Sequence, residues 1–390
     1  MVNSCGLLFW YVCYCTWKET TNIALGWVAY AVTAVVSAVG ENRLMPLPDC
    51  ACKVINGESG YVRDNTSWII GRIVRDFDEW KDKGKPDGPI SQKLKRMLDD
   101  KDKFDRAAAD NEAPGSGAKL EYPKKAGLCV SVYKAEGANQ GCPGYDFIYF
   151  TGFATIVLQL GIAAIPCGIF GDWGIFLITI SGIILSFATG ALDQWKEEKW
   201  ACRDKSPKNV VLTRGNGSQH AIVILGDRKG FDLEDLAAGQ TNVEVSAPGK
   251  TRFLVIILAA LWILLLITAS GLKENTWFLL AVGSVGILQN ILVAGRMRFP
   301  KSYGIPLTFV EVIGSPKVMN TLYEVEEKYP HIGRSMVDTF FPGKLHTHEV
   351  TKWENLGATA KERAKALKES QINTQGNGRI QPAPTVNGAT

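Results

Sequence analysis

Apolar residues along the chain are bunched rather than evenly periodic. Four runs, Ile148–Ile169, Trp173–Leu192, Phe253–Leu272 and Trp277–Gly295, have no Lys or Arg in their interiors. Each is close to the ~20 residues that a helix needs to cross the hydrocarbon core, and longer than the ~14 expected of a buried helix in a soluble domain. Two further runs, Cys5–Trp17 and Asn22–Val39, read as a hairpin turning at Lys18-Glu19-Thr20-Thr21. The second is of membrane length; the first is short enough to leave its crossing open. No basic segment precedes it and no clear cleavage site follows, which argues against a signal peptide.

Between these runs the pattern changes. Trp68, Ile69, Ile70, Ile73, Val74, Phe77 and Trp80 follow helical spacing, with Arg72, Arg75, Asp76, Glu79 and Lys81 on the other face. That fits either an interfacial helix on the inner leaflet or a helix packed on a small cytosolic domain. Lys93–Arg106 reads as a solvated helix, and Ala113–Gly117 as a linker. Val210–Thr213 and Ala221–Leu225 are strand-like, and Arg214-Gly215-Asn216-Gly217 supplies turn chemistry for a hairpin between them. Asp232 is placed to cap a short helix. Pro306–Val312 predicts a strand and Pro316–Lys328 a helix. The segment Val337–Pro342 is apolar, and Ala358–Glu369 reads as a charged helix. From Ser370 on, Gln, Asn, Gly, Pro and Thr dominate, as in disordered chain.

The fold expected from this pattern is an all-α transmembrane helical bundle of four spans, six with the N-terminal hairpin. Small α+β cytosolic elements and a disordered C-terminal tail complete it. The organisation is a membrane hairpin over 1–40, a cytosolic insert over 41–146 and a membrane hairpin over 147–193. A cytosolic loop with a β-hairpin over 194–252 precedes a third membrane hairpin over 253–295. A cytosolic region over 296–369 and the tail 370–390 follow.

Charge sets the orientation. The connection Phe170–Asp172 has no Lys or Arg and Lys273–Thr276 has one, whereas Lys196, Lys199, Arg203, Lys205, Lys250, Arg252, Arg296, Arg298 and Lys301 flank the opposite ends. Positive flanks stay on the cytoplasmic side. The insert, the loop, the tail and both termini are therefore expected in the cytosol, in a plasma membrane or endomembrane. Trp173, Trp195 and Trp277 sit at span ends, where amphipathic rings favour the headgroup level.

Composition narrows the function classes. The chain of 390 residues has 43 Lys+Arg, 39 Asp+Glu and a formal net charge of +4, which leaves no whole-protein charge to drive nucleic-acid binding. With 4 His and 9 scattered Cys, neither a metal cluster nor a disulfide scaffold is expected. No cofactor is expected either; the expected partners are the bilayer and a cytosolic protein.

Gly182, Ser186 and Gly190 share one helical face and mark a close helix–helix contact. Gln159, Gln289 and Asn290 are intramembrane amides, which act either as interhelical glue or as the lining of a small-solute path. No ionisable residue lies inside the four spans, which argues against a proton-coupled pump or a voltage sensor.

Catalytic patterns are weak. Gly249-Lys250-Thr251 ends like a phosphate-binding loop, but Glu244 stands where that pattern needs glycine. Gly215-Asn216-Gly217 opens like a dinucleotide fingerprint, but His220 takes the place of its third glycine. His346 and His348 lack further clustered ligands, and Cys50 and Cys52 lack a second pair at zinc spacing.

The stretches Gln159–Arg203, Thr213–Leu236 and Gly304–Gly343, with the VEEKYPHIGRSM run and the terminal FFPG, resemble a family of multi-pass membrane proteins of filamentous fungi. The resemblance covers roughly the C-terminal 200 residues. It implies a membrane protein with cytosolic elements and carries over no catalytic or ligand residue.

Three functions remain open. The first is a non-enzymatic membrane scaffold or regulator. The second is a small-solute channel or transporter using Gln159, Gln289 and Asn290. The third is an enzyme acting on a lipid-like substrate at the inner leaflet, with Asp193, Glu197, Glu198 and His220 as acid–base groups. The absence of a recognisable site sets that order.

The orientation is testable. Asn65-Thr66-Ser67 and Asn216-Gly217-Ser218 match the glycosylation pattern. In a eukaryotic expression host both asparagines are expected to remain unmodified by mass spectrometry; sugar on Asn216 would reverse the orientation.

Overall fold

The computed structural model describes residues 44–112, 121–138, 146–239 and 249–359 together with Glu362. The N-terminal hairpin over 1–40, the linker Ala113–Gly117 and the tail from Ser370 lie outside the described residues.

The insert supplies β1 (Lys53–Asn56), β2 (Val62–Asp64), α1 (Trp68–Arg75), α2 (Phe77–Trp80), α3 (Pro89–Glu112) and β3 (Leu128–Ala135). Then come α4 (Phe147–Phe170), α5 (Gly174–Gly190) and α6 (Asp193–Lys199). The loop gives β4 (Val210–Thr213), β5 (His220–Leu225) and α7 (Leu233–Ala238). After α8 (Gly249–Ser270) and α9 (Thr276–Gly295), the last region gives β6 (Leu307–Ser315), α10 (Val318–Lys328) and α11 (Ile332–Phe340).

The expectation of an all-α bundle is overturned. The strands form one six-stranded mixed sheet in the order β2-β1-β4-β5-β3-β6. β3 pairs in parallel with β5 and antiparallel with β6, so strands from the insert, the loop and the tail lie side by side. What reads in sequence as three small cytosolic elements is one composite α/β domain.

Alternation along the strands explains its layers. Val54, Cys129, Tyr133, Val210, Leu212, Ile222 and Ile224 face one side, where α1, α2, α3 and α7 pack. Ile55, Val130, Val132, Val211, Val223 and Ile313 face the other, against α10, α11 and Trp353. A register shift opposite Val132 and Tyr133 lets the long β6 follow the twist of β3. The apolar stripe of α1 enters the first layer, with Ile69, Ile70 and Ile73 fully buried. This settles α1 as a domain helix rather than a helix lying on lipid.

Three helices, α4, α8 and α9, are long and apolar enough to cross a membrane. The expected span Trp173–Leu192 is shorter: α5 stops at Gly190 and turns by 48° into α6, and the bent pair passes the same criterion only as a unit. The Trp195 indole stabilises this bend by donating to the Thr189 carbonyl at 3.0 Å. α5 packs against α4 and α8, and α4 against α9. The two tight connections meet at one end, where the Asn275 amide donates to Asp172 at 3.3 Å. Trp173 and Trp277 are exposed at that end, as headgroup anchors would be. Trp200 instead packs on Phe231 inside the domain, with ring centroids 5.0 Å apart.

Because β3 and β6 come from different segments, damage to one should spread to the other. Ile313→Ala, at a fully buried position, is expected to cost about 2–5 kcal/mol. Hydrogen exchange should rise on β3 as well as on β6; a rise confined to residues 307–340 would contradict the composite sheet.

Candidate functional site

Two polar regions stand out, and a single helix joins them. The first is the junction between the α/β domain and the span ends. Four carbonyls at the end of α9 have no partner within the helix. The guanidinium groups of Arg72 and Arg75 donate to one of them, Ala294 O, at 3.0 and 3.1 Å. Asp49 pairs with both arginines, at 2.5 and 3.3 Å. Cations at a helix C-terminus also match its dipole.

Beside them Arg72 lies over the Trp68 ring, Trp68 meets Tyr303 edge-on, and Arg298 lies over Tyr303. Arg298 ion-pairs at 2.6 Å with Asp146, which in turn caps α4 by accepting from the Tyr149 amide. One connected network thus ties the end of α9 to the start of α4 and to α1.

The second region is a cavity of ≈ 500 Å³ at the end of the sheet where β3 and β5 begin. That is the volume of sites that take small organic ligands. Val74, Phe77, Leu94, Leu212 and Ile222 form its apolar walls; Lys81, Lys125 and Arg214 face a single carboxylate, Asp78. The β4–β5 turn forms one rim. Gly215 and Gly217 hold positive φ angles of 95° and 81°, which the tight turn requires and a side chain would resist.

Arg214 leaves this turn and donates to the carbonyls of Val74 and Arg75 at 3.3 and 3.4 Å. α1 therefore touches the cavity at its C-terminus and the span end through Arg72 and Arg75.

His220 opens β5 in the cavity wall, edge-on to Phe77 with centroids 5.2 Å apart. Its Nε2 lies 3.5 Å from Asp78, and its Nδ1 is buried without a hydrogen-bond partner. Burial, reinforced by Lys81 and Arg214 and opposed by Asp78 and Asp82, brings its pKa from 6.5 down to about 4. Burial pushes the Asp78 carboxyl up, but its bond to Lys81 and the charges of Lys81, His220 and Arg214 outweigh this and hold it below the usual range.

Asp193, Glu197 and Glu198 do not line the cavity that His220 lines. Glu198 is buried elsewhere, with both carboxylate oxygens accepting from the backbone amides of Leu44 and Met45. His346 and His348 stack on one another away from both regions.

Gln159 of α4 and Gln289 of α9 bond across the contact between those two helices. Gln159, 1% exposed, donates to the Val282 carbonyl at 3.1 Å. Gln289 accepts from Thr155 and donates to Thr151, each at 3.2 Å. Asn290, next to Gln289, keeps a buried side-chain oxygen without a hydrogen-bond partner. Gly182 and Gly190 are buried on α5, and Ser186 between them is half-buried.

The residues that sequence reasoning missed are Lys81, Lys125 and Arg214 of the cavity, and Arg72 and Arg75 as caps of α9. The pattern places Arg72 and Arg75 on a polar helix face, but no local signal points to a partner more than 200 positions away.

Comparison with known proteins gives no match to a protein family, a characterised protein or a solved structure. The functional reading therefore rests on this geometry.

The His220 shift has a measurable consequence. The unfolded chain protonates this imidazole near pH 6.5, the folded protein only near about 4. Stability contributed by the neutral ring is therefore complete above 6.5 and lost as pH falls toward 4, by at most about 3 kcal/mol. His220→Asn should flatten the unfolding midpoint across that window; an unchanged acid slope would show that His220 is not buried neutral.

Proposed function

We propose that the protein is a non-enzymatic regulator embedded in a cellular membrane, with its α/β domain on the cytosolic side as the interaction module. The observation that carries this reading is the bridge made by α1. One helix lines the ligand-sized cavity with Val74 and caps the end of α9 with Arg72 and Arg75. A change at the cavity has a short, hydrogen-bonded route to a membrane helix, which is what a regulator needs. The basic flanks of the spans support a cytosolic domain.

The transport reading is weaker, because Gln159 and Gln289 spend their hydrogen bonds on neighbouring helices. The enzyme reading lacks a cleft shared by its four acid–base candidates.

Two measurements on the protein in phosphatidylcholine vesicles test the proposal. Arg72→Ala together with Arg75→Ala should speed amide exchange in the last turn of α9 and around the cavity rim, with no solute flux in either form. Flux that disappears in Gln159→Leu or Gln289→Leu would replace the regulator with a transporter.

A further inference from the structure

We infer that the cavity at the end of the sheet binds a phosphate monoester carrying an apolar or aromatic body, with Arg214 and Lys125 as the anion anchors. This rests on the regulatory reading and gives it a ligand class.

The cavity divides into two chemistries. One wall is Phe77, Leu94, Leu212, Val74 and Ile222, an apolar surface suited to a ring. The rim is cationic. Lys81 is occupied by Asp78, at 2.9 Å. Arg214 and Lys125 have no carboxylate partner among the described residues, and both side chains are exposed. His220, neutral above about pH 4, adds no charge. Two uncompensated cations beside an apolar wall match a dianion better than a carboxylate, and the planar guanidinium fork suits phosphate oxygens.

Arg214 also couples the site to the membrane. It already holds the carbonyls of Val74 and Arg75, so a phosphate drawing on the same guanidinium acts on the residue whose side chain caps α9.

The test is calorimetric titration of the full chain in phosphatidylcholine nanodiscs with phenyl phosphate, inorganic phosphate and benzyl alcohol. Phenyl phosphate should bind saturably, and tighter than either fragment by about tenfold or more. Arg214→Ala with Lys125→Ala should weaken it by about tenfold or more, and Lys125→Ala alone, which removes no hydrogen bond to Val74 or Arg75, should weaken it while leaving the thermal midpoint in place.

Phenyl phosphate binding no better than benzyl alcohol, or binding indifferent to the double substitution, would overturn the proposal. Repeating the titration in discs containing phosphatidic acid identifies the natural source. Lowered affinity for phenyl phosphate assigns the site to a lipid headgroup, and unchanged affinity assigns it to a soluble ester; either outcome keeps the phosphate site. Failure here would leave the α1–α9 coupling standing, since amide exchange tests that separately. Loss of the coupling, in turn, would leave the binding result standing.

Discussion

Backbone hydrogen bonding between β3 and its two neighbours is the constraint on which the rest of the structure depends. β5 and β6 reach β3 only after the chain has passed through α4 and α5, and then through α8 and α9. In lipid an unpaired strand edge is untenable. Each helical hairpin must therefore return its chain to the side from which it left. The sheet requires the chain to come back to the domain after α4 and α5 and again after α8 and α9, independently of any charge argument. The short α5, with its 48° turn into α6, is how the first hairpin delivers its exit to the domain.

The same constraint explains why the junction is rich in arginine. Span ends that meet a folded domain rather than water must have their carbonyls satisfied by protein. Arg72 and Arg75 do this at the Ala294 carbonyl, and Arg298 holds Asp146 at the start of α4; the guanidinium groups of Arg72 and Arg298 lie over Trp68 and Tyr303. Through α1, Arg72 and Arg75 connect the cavity to the end of α9.

How much of this was legible in the chain varies by element. Three apolar helices of crossing length were, because length and apolarity are local properties; α5 fell short, ending at Gly190 two residues before its apolar run does, and the N-terminal runs lie outside the described residues. The β4–β5 hairpin was legible through its glycine turn, and Asp232 as a cap through its position. β1 and β2 were not, since four and three residues carry too little alternation. β3 carried a readable signal in Cys129-Val130-Ser131-Val132-Tyr133 that the linker-like surroundings obscured. The all-α expectation failed because pairing between distant strands leaves no mark in local periodicity. Gln159 and Gln289 were visible as amides in an apolar run, whereas the cavity draws Lys81, Lys125 and Arg214 from three separate stretches that only the sheet brings together.

Cross-linking across the sheet probes the central claim most directly. Lys134 on β3 and Thr308 on β6 are register partners. With both replaced by cysteine, mild oxidation of the protein in sealed native membranes should give an intramolecular disulfide between those positions, identified by peptide mass spectrometry. If the two cysteines remain apart, or react only with reagents applied to opposite faces of the membrane, the composite domain does not exist.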